Sequence, residues 1–350
     1  MKRPLKLSLT TCGVAVVLGT LFWMRSLASW RPQKVGVLPK GYIPQYMDSS
    51  GNYLTVANMG ATKPEDMGSF ESFDLKTGQS KKWSLAKQVD DVPNPNLSWG
   101  WIKRKGLLWS IYSASKKDPG NSILELRDAS TGQLKHTLAW GPREYDLSPD
   151  MDVADKTLRV LSRNDFREFD LTTDKLKRLV ALKQPFDSAN QYIPRFAIAS
   201  NGKALYGCAG TEGRVWDART GKLLNKWMLG QNGLNDVPQF SPDGLIVVHI
   251  STLSPTAARC YFLDSTTGKV RWTEDNSVQI TDLFLADLFI GTEAIVLPKR
   301  NNCEVRDVAT GRVLRQLPGP RESDSQILRV TPDYIYTQNA KGEIFRWRAH

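Results

Sequence analysis

One short phrase recurs along this chain of 350 residues: an extended run that ends in Asp and continues as x-x-Thr-Gly or a close variant. It reads Phe73-Asp74-Leu75-Lys76-Thr77-Gly78, Arg127-Asp128-Ala129-Ser130-Thr131-Gly132 and Phe169-Asp170-Leu171-Thr172-Thr173-Asp174 in the first half. The second half has Trp216-Asp217-Ala218-Arg219-Thr220-Gly221, Leu263-Asp264-Ser265-Thr266-Thr267-Gly268 and Arg306-Asp307-Val308-Ala309-Thr310-Gly311. A degenerate seventh copy, Ile344-Phe345-Arg346-Trp347, lies near the end of the sequence. The six aspartates are spaced 54, 42, 47, 47 and 43 residues apart. A period of roughly 40 to 50 residues is that of a four-stranded unit repeated around an axis.

The chemistry of the phrase explains its recurrence. An apolar strand arrives, Asp accepts backbone hydrogen bonds in the turn, and Gly (once Asp) takes the left-handed conformation that returns the chain antiparallel. After the turn, apolar residues recur at even spacing, as in Leu134 and Leu138, Leu176 and Val180, Leu223 and Trp227, and Val313 and Leu317. That spacing predicts a half-buried strand with these side chains on one face. Earlier in several units a second turn signal appears: Ser148-Pro149-Asp150, Ser200-Asn201-Gly202, Ser241-Pro242-Asp243-Gly244 and Thr331-Pro332-Asp333. These turns are expected to join the first two strands of each unit. The fold class is therefore all-β, a seven-bladed propeller over residues 30–350.

The pattern resembles the WD-repeat class of seven-bladed propellers over residues 33–350, and Trp216-Asp217 reproduces its namesake dipeptide. No unit carries the Gly-His pair that such repeats often place near their start. Asp264-Ser-Thr-Thr-Gly268-Lys-Val-Arg-Trp272 is similar instead to a pyrroloquinoline-quinone repeat. That resemblance implies a Trp docked against the next blade. It also raises a quinoprotein-like oxidoreductase as the alternative to a binding scaffold. Quinoprotein dehydrogenases of that family are larger, generally eight-bladed, and bring a calcium site and a catalytic aspartate to the cofactor. One blade here matches well and no adjacent cysteines occur, so no cofactor residues are transferred and no cofactor is expected.

The beginning of the chain is a separate object. Leu7 to Met24 is an uncharged run, preceded by Lys2, Arg3 and Lys6 and followed by Arg25. At ~1.5 Å per residue it is long enough to cross a bilayer core as a helix. Residues 1–29 are therefore expected to form an uncleaved, single-pass membrane anchor. The rival reading is a signal peptide cut after Ser26-Leu27-Ala28. Positive charges flank both ends, so the charge rule does not set the orientation. A short amino-terminal segment before a large domain predicts the amino end inside and the propeller outside the cytoplasm.

The formal charge of +11 suggests nucleic acid until it is apportioned. Residues 1–34 hold six Lys or Arg and no acid, which leaves +5 for the rest. No basic run with interleaved aromatics stands out, and nucleic-acid binding is not expected. Cys208, Cys260 and Cys303 fall in or beside predicted strands and read as buried thiols, and Cys12 as a small residue of the apolar run. The histidines are His136, His249 and His350, without zinc-ligand spacing or a neighbouring nucleophile motif, so no metal site and no catalytic residue is assigned. Asp150, Asp152 and Asp155 lack the glycine and distal glutamate of a calcium loop and read as a solvated turn.

Two further expectations follow from strand direction. Gln33 to Leu38 should close the ring by pairing outside the strand around Glu343 to Trp347, which removes an open sheet edge. Turns between first and second strands, and between third and fourth, share one face and are short. The opposite face takes the long insertions Asn58 to Gly68, Gln88 to Asn96 and Ser113 to Asn121. They hold Lys63, Glu65, Asp66, Asp90, Asp91, Lys116, Lys117 and Asp118, the candidate partner-binding residues. The functional expectation is a membrane-tethered propeller that binds an unidentified protein partner or scaffolds an assembly.

Overall fold

The computed structural model describes residues 33–38, 43–48, 50–57, 69–85, 98–102, 105–113, 122–141, 149–186, 194–199, 201–209, 212–228, 236–254, 257–276, 288–299, 302–318, 326–331, 333–339 and 341–348. They form seven four-stranded antiparallel sheets. β1 (Gln33–Val37) precedes the first complete blade, which comprises β2 (Ile43–Met47), β3 (Tyr53–Ala57), β4 (Ser69–Asp74) and β5 (Ser80–Ser84). The second blade is β6 (Ser98–Ile102), β7 (Leu107–Ser113), β8 (Ser122–Asp128) and β9 (Leu134–Gly141). The third is β10 (Asp150–Ala154), β11 (Thr157–Leu161), β12 (Asp165–Asp170) and β13 (Lys175–Ala181), and the fourth is β14 (Arg195–Ile198), β15 (Ala204–Ala209), β16 (Glu212–Asp217) and β17 (Leu223–Met228). β18 (Asp236–Phe240), β19 (Ile246–Ser254), β20 (Ala257–Asp264) and β21 (Val270–Asn276) make the fifth. β22 (Phe289–Ile290), β23 (Ala294–Pro298), β24 (Asn302–Asp307) and β25 (Val313–Pro318) make the sixth. The seventh has β26 (Gln326–Val330), β27 (Tyr334–Gln338) and β28 (Glu343–Arg348), with β1 as its outermost strand.

The recurring phrase is the turn from third to fourth strand in each of the first six blades. Asp74 Oδ1 accepts from the Lys76 and Thr77 amides at 2.8 and 3.1 Å, and Asp264 Oδ1 from Thr266 and Thr267 at 3.1 and 2.9 Å. Gly78, Gly132, Gly221, Gly268 and Gly311 all have φ between 67° and 72°, and Asp174 takes the same region at 54°. The amide and hydroxyl bonds that cap the turn also hold the Asp74, Asp170, Asp217 and Asp307 carboxyls below their usual range. At Asp264 burial raises the pKa, but the Arg271 guanidinium and the Thr267 amide and hydroxyl outweigh it and hold the group at about 2.

Two sequence expectations are corrected here. Pro149-Asp150 leads into β10, whose first residue is Asp150, so this signal does not join first and second strands; that turn is Asp155-Lys156, with Asp155 at φ 52°. A polar Asp tolerates the left-handed region, so a two-residue turn sufficed without Gly. The even-spaced apolar pairs do not all share a face either. In five blades the register between third and fourth strands shifts just before the turn Asp, at Leu126/Arg127, Glu168/Phe169, Val215/Trp216, Phe262/Leu263 and Val305/Arg306, and the second blade shifts again at Ser122/Ile123. A bulge inserts one residue and reverses the facing beyond it. Leu176 therefore pairs with Phe169 and is half exposed, while Val180 pairs with Phe166 and packs on the blade interface.

First strands of adjacent blades lie side by side around the centre, and apolar clusters fill the space between blades. Polar bonds stitch the same interfaces. Thr55 donates to the Ala129 carbonyl at 2.7 Å, Ile198 to Asp150 at 2.8 Å, Trp272 Nε1 to the Val308 carbonyl at 2.9 Å and Arg329 to the Met47 carbonyl at 3.2 Å. β1 runs antiparallel to β28, with Lys34 bound to Glu343 at 2.5 Å and the Leu38 amide bound to the Gly342 carbonyl at 2.8 Å. The expected helix over Leu7–Met24 lies outside the described residues. Among the described residues no helix is long and apolar enough to cross a membrane.

Candidate interaction surface

Hairpin direction separates the two faces of the disc. One face holds the tight turns of each blade, such as Ser241 to Ile246, closed by the Ile246 amide on Ser241 Oγ and the Gly244 amide on the Ser241 carbonyl. The other face holds the loops from second to third strands and the links between blades. Those loops are eleven and eight residues long in the first two blades and two to four in the other five. The links after β13 and β21 are about as long as the link after β5, so the asymmetry toward the first two blades resides in the second-to-third loops. Lys63, Glu65, Asp66, Asp90, Asp91, Lys116, Lys117 and Asp118 all lie outside the described residues.

The support beneath that sector is described, and it differs from the other interfaces. Phe70 stacks on Trp83 at 4.7 Å between ring centroids and meets Trp99 and Trp101 edge-on at 5.1 and 5.6 Å. Tyr46 stacks on Trp101 at 5.6 Å. Glu125, fully buried, accepts from the Tyr112 hydroxyl at 2.7 Å and pairs with Arg127 at 2.7 Å. Burial, then the bond to Glu125, pushes the Tyr112 phenol well above its ordinary range, so it remains a donor. A buried carboxylate needs such partners because leaving it unpaired would cost several kcal/mol, on the order of 3 to 5. Aromatic rings offset and edge-on add on the order of 1 kcal/mol per pair beyond their burial.

Glu125 and Arg127 belong to a series that the sequence reading missed. Asp165/Arg167, Glu212/Arg214 and Glu304/Arg306 repeat the pairing on the third strands of three other blades. Residues two apart on a strand face the same way, so an acid-x-Arg signal with its acid three or five residues before the turn Asp would have found them. Arg306 also reaches Glu274 of the preceding blade at 3.1 Å, as does Lys299, so the pair fastens neighbouring blades as well as its own sheet.

The remaining singled-out residues are structural in their contacts. His249 is buried, with Nδ1 2.8 Å from the Tyr206 hydroxyl. His136 Nδ1 lies 2.9 Å from Asp174 Oδ1 in the next blade. Cys208, Cys260 and Cys303 are buried and form no disulfide with one another, and burial pushes Cys260 up to about 12. Asp150 and Asp152 sit on β10 and not in a turn, and Asp152 lies 3.6 Å from Arg159. Among the described residues no group of three or more His, Cys, Asp or Glu is placed to hold a metal ion.

No protein-family model matches the chain, and no curated protein matches it. A chain from a solved structure, "Crystal Structure of Mitotic Checkpoint Complex", is similar in fold with a TM-score of 0.53 and 14% identity, over 91% of this chain and 95% of that one. At that identity the likeness concerns the fold alone, and it agrees with the sheet order: the protein is an all-β, seven-bladed propeller.

Proposed function

We propose that this protein is a protein-binding or assembly scaffold, tethered to a membrane through Leu7–Met24 with the propeller outside the cytoplasm. The observation that carries the binding reading is the concentration of long second-to-third loops on the first two blades, above the aromatic and ion-paired interface between them. Loops held on a rigid frame are the usual place for recognition. The mixed charges of Lys63, Asp91, Lys117 and their neighbours make the contact salt-sensitive. Trp216-Asp217 and the docking of Trp272 over Gly311 support kinship with the WD and pyrroloquinoline-quinone repeat classes.

The test is a triple charge reversal, Lys63→Glu, Asp91→Lys and Lys117→Glu, followed by co-purification from membranes. The fold should persist by circular dichroism while partner recovery falls. Undiminished recovery would place the binding surface elsewhere. Apolar insertion also predicts that the chain stays with membranes through a high-salt wash. Release of a mature chain beginning at Ser29 would identify a signal peptide instead.

A further inference from the structure

The seven outer strands, β1, β5, β9, β13, β17, β21 and β25, carry ten Lys or Arg and only two acids, Glu274 and Asp275. The third strands beneath them carry thirteen acids and seven Lys or Arg. Some of the outer cations are matched within their sheets, as in Arg178 with Glu168 at 2.8 Å and Lys226 with Glu212 at 3.2 Å. Others face solvent, among them Lys81 and Lys82 of the first blade; the turn residue Lys76 and, on the third strand of the seventh blade, Arg348 are exposed as well. Lysine on an open strand edge prevents pairing between copies, which accounts for single charges along the rim. It does not account for where the chain enters the disc.

The apolar run ends at Met24, and β1 begins nine residues later as the outer strand of the seventh blade. Nine residues span at most about 30 Å. β1 packs against the first-blade turn: a Cβ at Gly36 would stand 3.0 Å from Leu75 Cδ2, and Lys76 follows directly. The entry point is therefore on the circumference, between the seventh and first blades, at the edge of the face that carries the tight turns. Arg25 and Arg31 extend the same positive charge along the connecting segment.

Resting on the tether proposed above, we infer that the rim of the seventh and first blades lies against a membrane surface bearing anionic lipid headgroups, with Lys76, Lys81 and Lys82 in contact. Exposed cations near such a surface are attracted over about one Debye length, and the short connection keeps these within reach. The disc then meets the bilayer at the tight-turn edge of its rim, leaving the face of the second-to-third loops accessible to protein.

The experiment reconstitutes the full chain into phosphatidylcholine vesicles with and without phosphatidylglycerol and measures lysine acetylation rates by mass spectrometry. Rates at Lys76, Lys81 and Lys82 should fall about fivefold with phosphatidylglycerol only and recover in high salt. Lys222 and Lys226, on the fourth blade across the ring, should be unchanged. The Lys81→Glu/Lys82→Glu variant should still float with vesicles while Lys76 loses its protection. No fall, an equal fall on both compositions, or an equal fall on the fourth blade would overturn the inference. Equal protection by soluble polyglutamate without lipid would also overturn it, in favour of an acidic protein. A chain that floats with neither composition removes the tether and this inference together, whereas one that floats without protection removes this inference alone.

Discussion

Gly78 and Gly268 occupy the same place in the same turn, with φ 72° and 67°, yet their surroundings are opposite. A Cβ at Gly78 would meet nothing within 4 Å, whereas one at Gly268 would fall 2.2 Å from Trp227 of the preceding blade. Gly132 and Gly311 resemble Gly268, covered by Trp83 at 2.4 Å and Trp272 at 2.5 Å. Gly78 is bare because the strand before it in the ring is β1, which presents Gly36 and Val37 where β5, β17 and β21 present a Trp. Glycine thus has two separable roles in one turn: supplying a backbone conformation everywhere, and making room for a neighbour where the preceding blade docks a Trp.

The comparison is broken or sharpened by substitution. Gly268→Ala meets both demands at once, the left-handed penalty and an overpacked Trp227, and should lower stability by about 3 kcal/mol. Urea denaturation measures it, and a loss no greater than that at Gly78 would mean Trp227 moves aside freely. Gly78→Ala meets the backbone penalty alone and should lose about 1 kcal/mol, read in the same way. The smallest effect concerns charge. Asp264 is held at about 2 despite its partial burial, so its stabilising contribution is present above its unfolded value and lost as pH falls through about 2. Asp264→Asn keeps a turn acceptor but not the ion pair with Arg271, 2.7 Å away. Its melting temperature should therefore decline less steeply than that of the natural protein between pH 4 and pH 2, and parallel curves would contradict this.

The repeat was legible because one turn chemistry, Asp capping amides ahead of a left-handed Gly, recurs at a nearly constant period. Even the exception, Asp174, was readable, since Asp is one of the few side chains that tolerates that conformation. The facing of the outer strands was not readable. The bulge before Asp170 has no residue of its own, so Leu176 and Val180 looked alike until the register was known. Nor were the junctions, because Trp227 and Gly268 or His136 and Asp174 are some 40 residues apart and nothing local links them. The candidate partner residues and the apolar run at Leu7–Met24 were readable as exposed charge and as a span of sufficient length, and they rest on that reading.

Central to this account is that each outer-strand residue and the left-handed residue of the next blade are chosen together. The second and third blades offer the direct test, because His136 stands four residues after its turn glycine, as Trp272 does, but faces Asp174 instead of Gly. A double-mutant cycle on His136→Trp and Asp174→Gly, followed by urea denaturation, reads the coupling. His136→Trp alone should be destabilising, since Asp174 occupies the space a Trp needs, and adding Asp174→Gly should restore most of the loss, a coupling of about 1 kcal/mol or more. Additivity within about 0.3 kcal/mol would contradict the account.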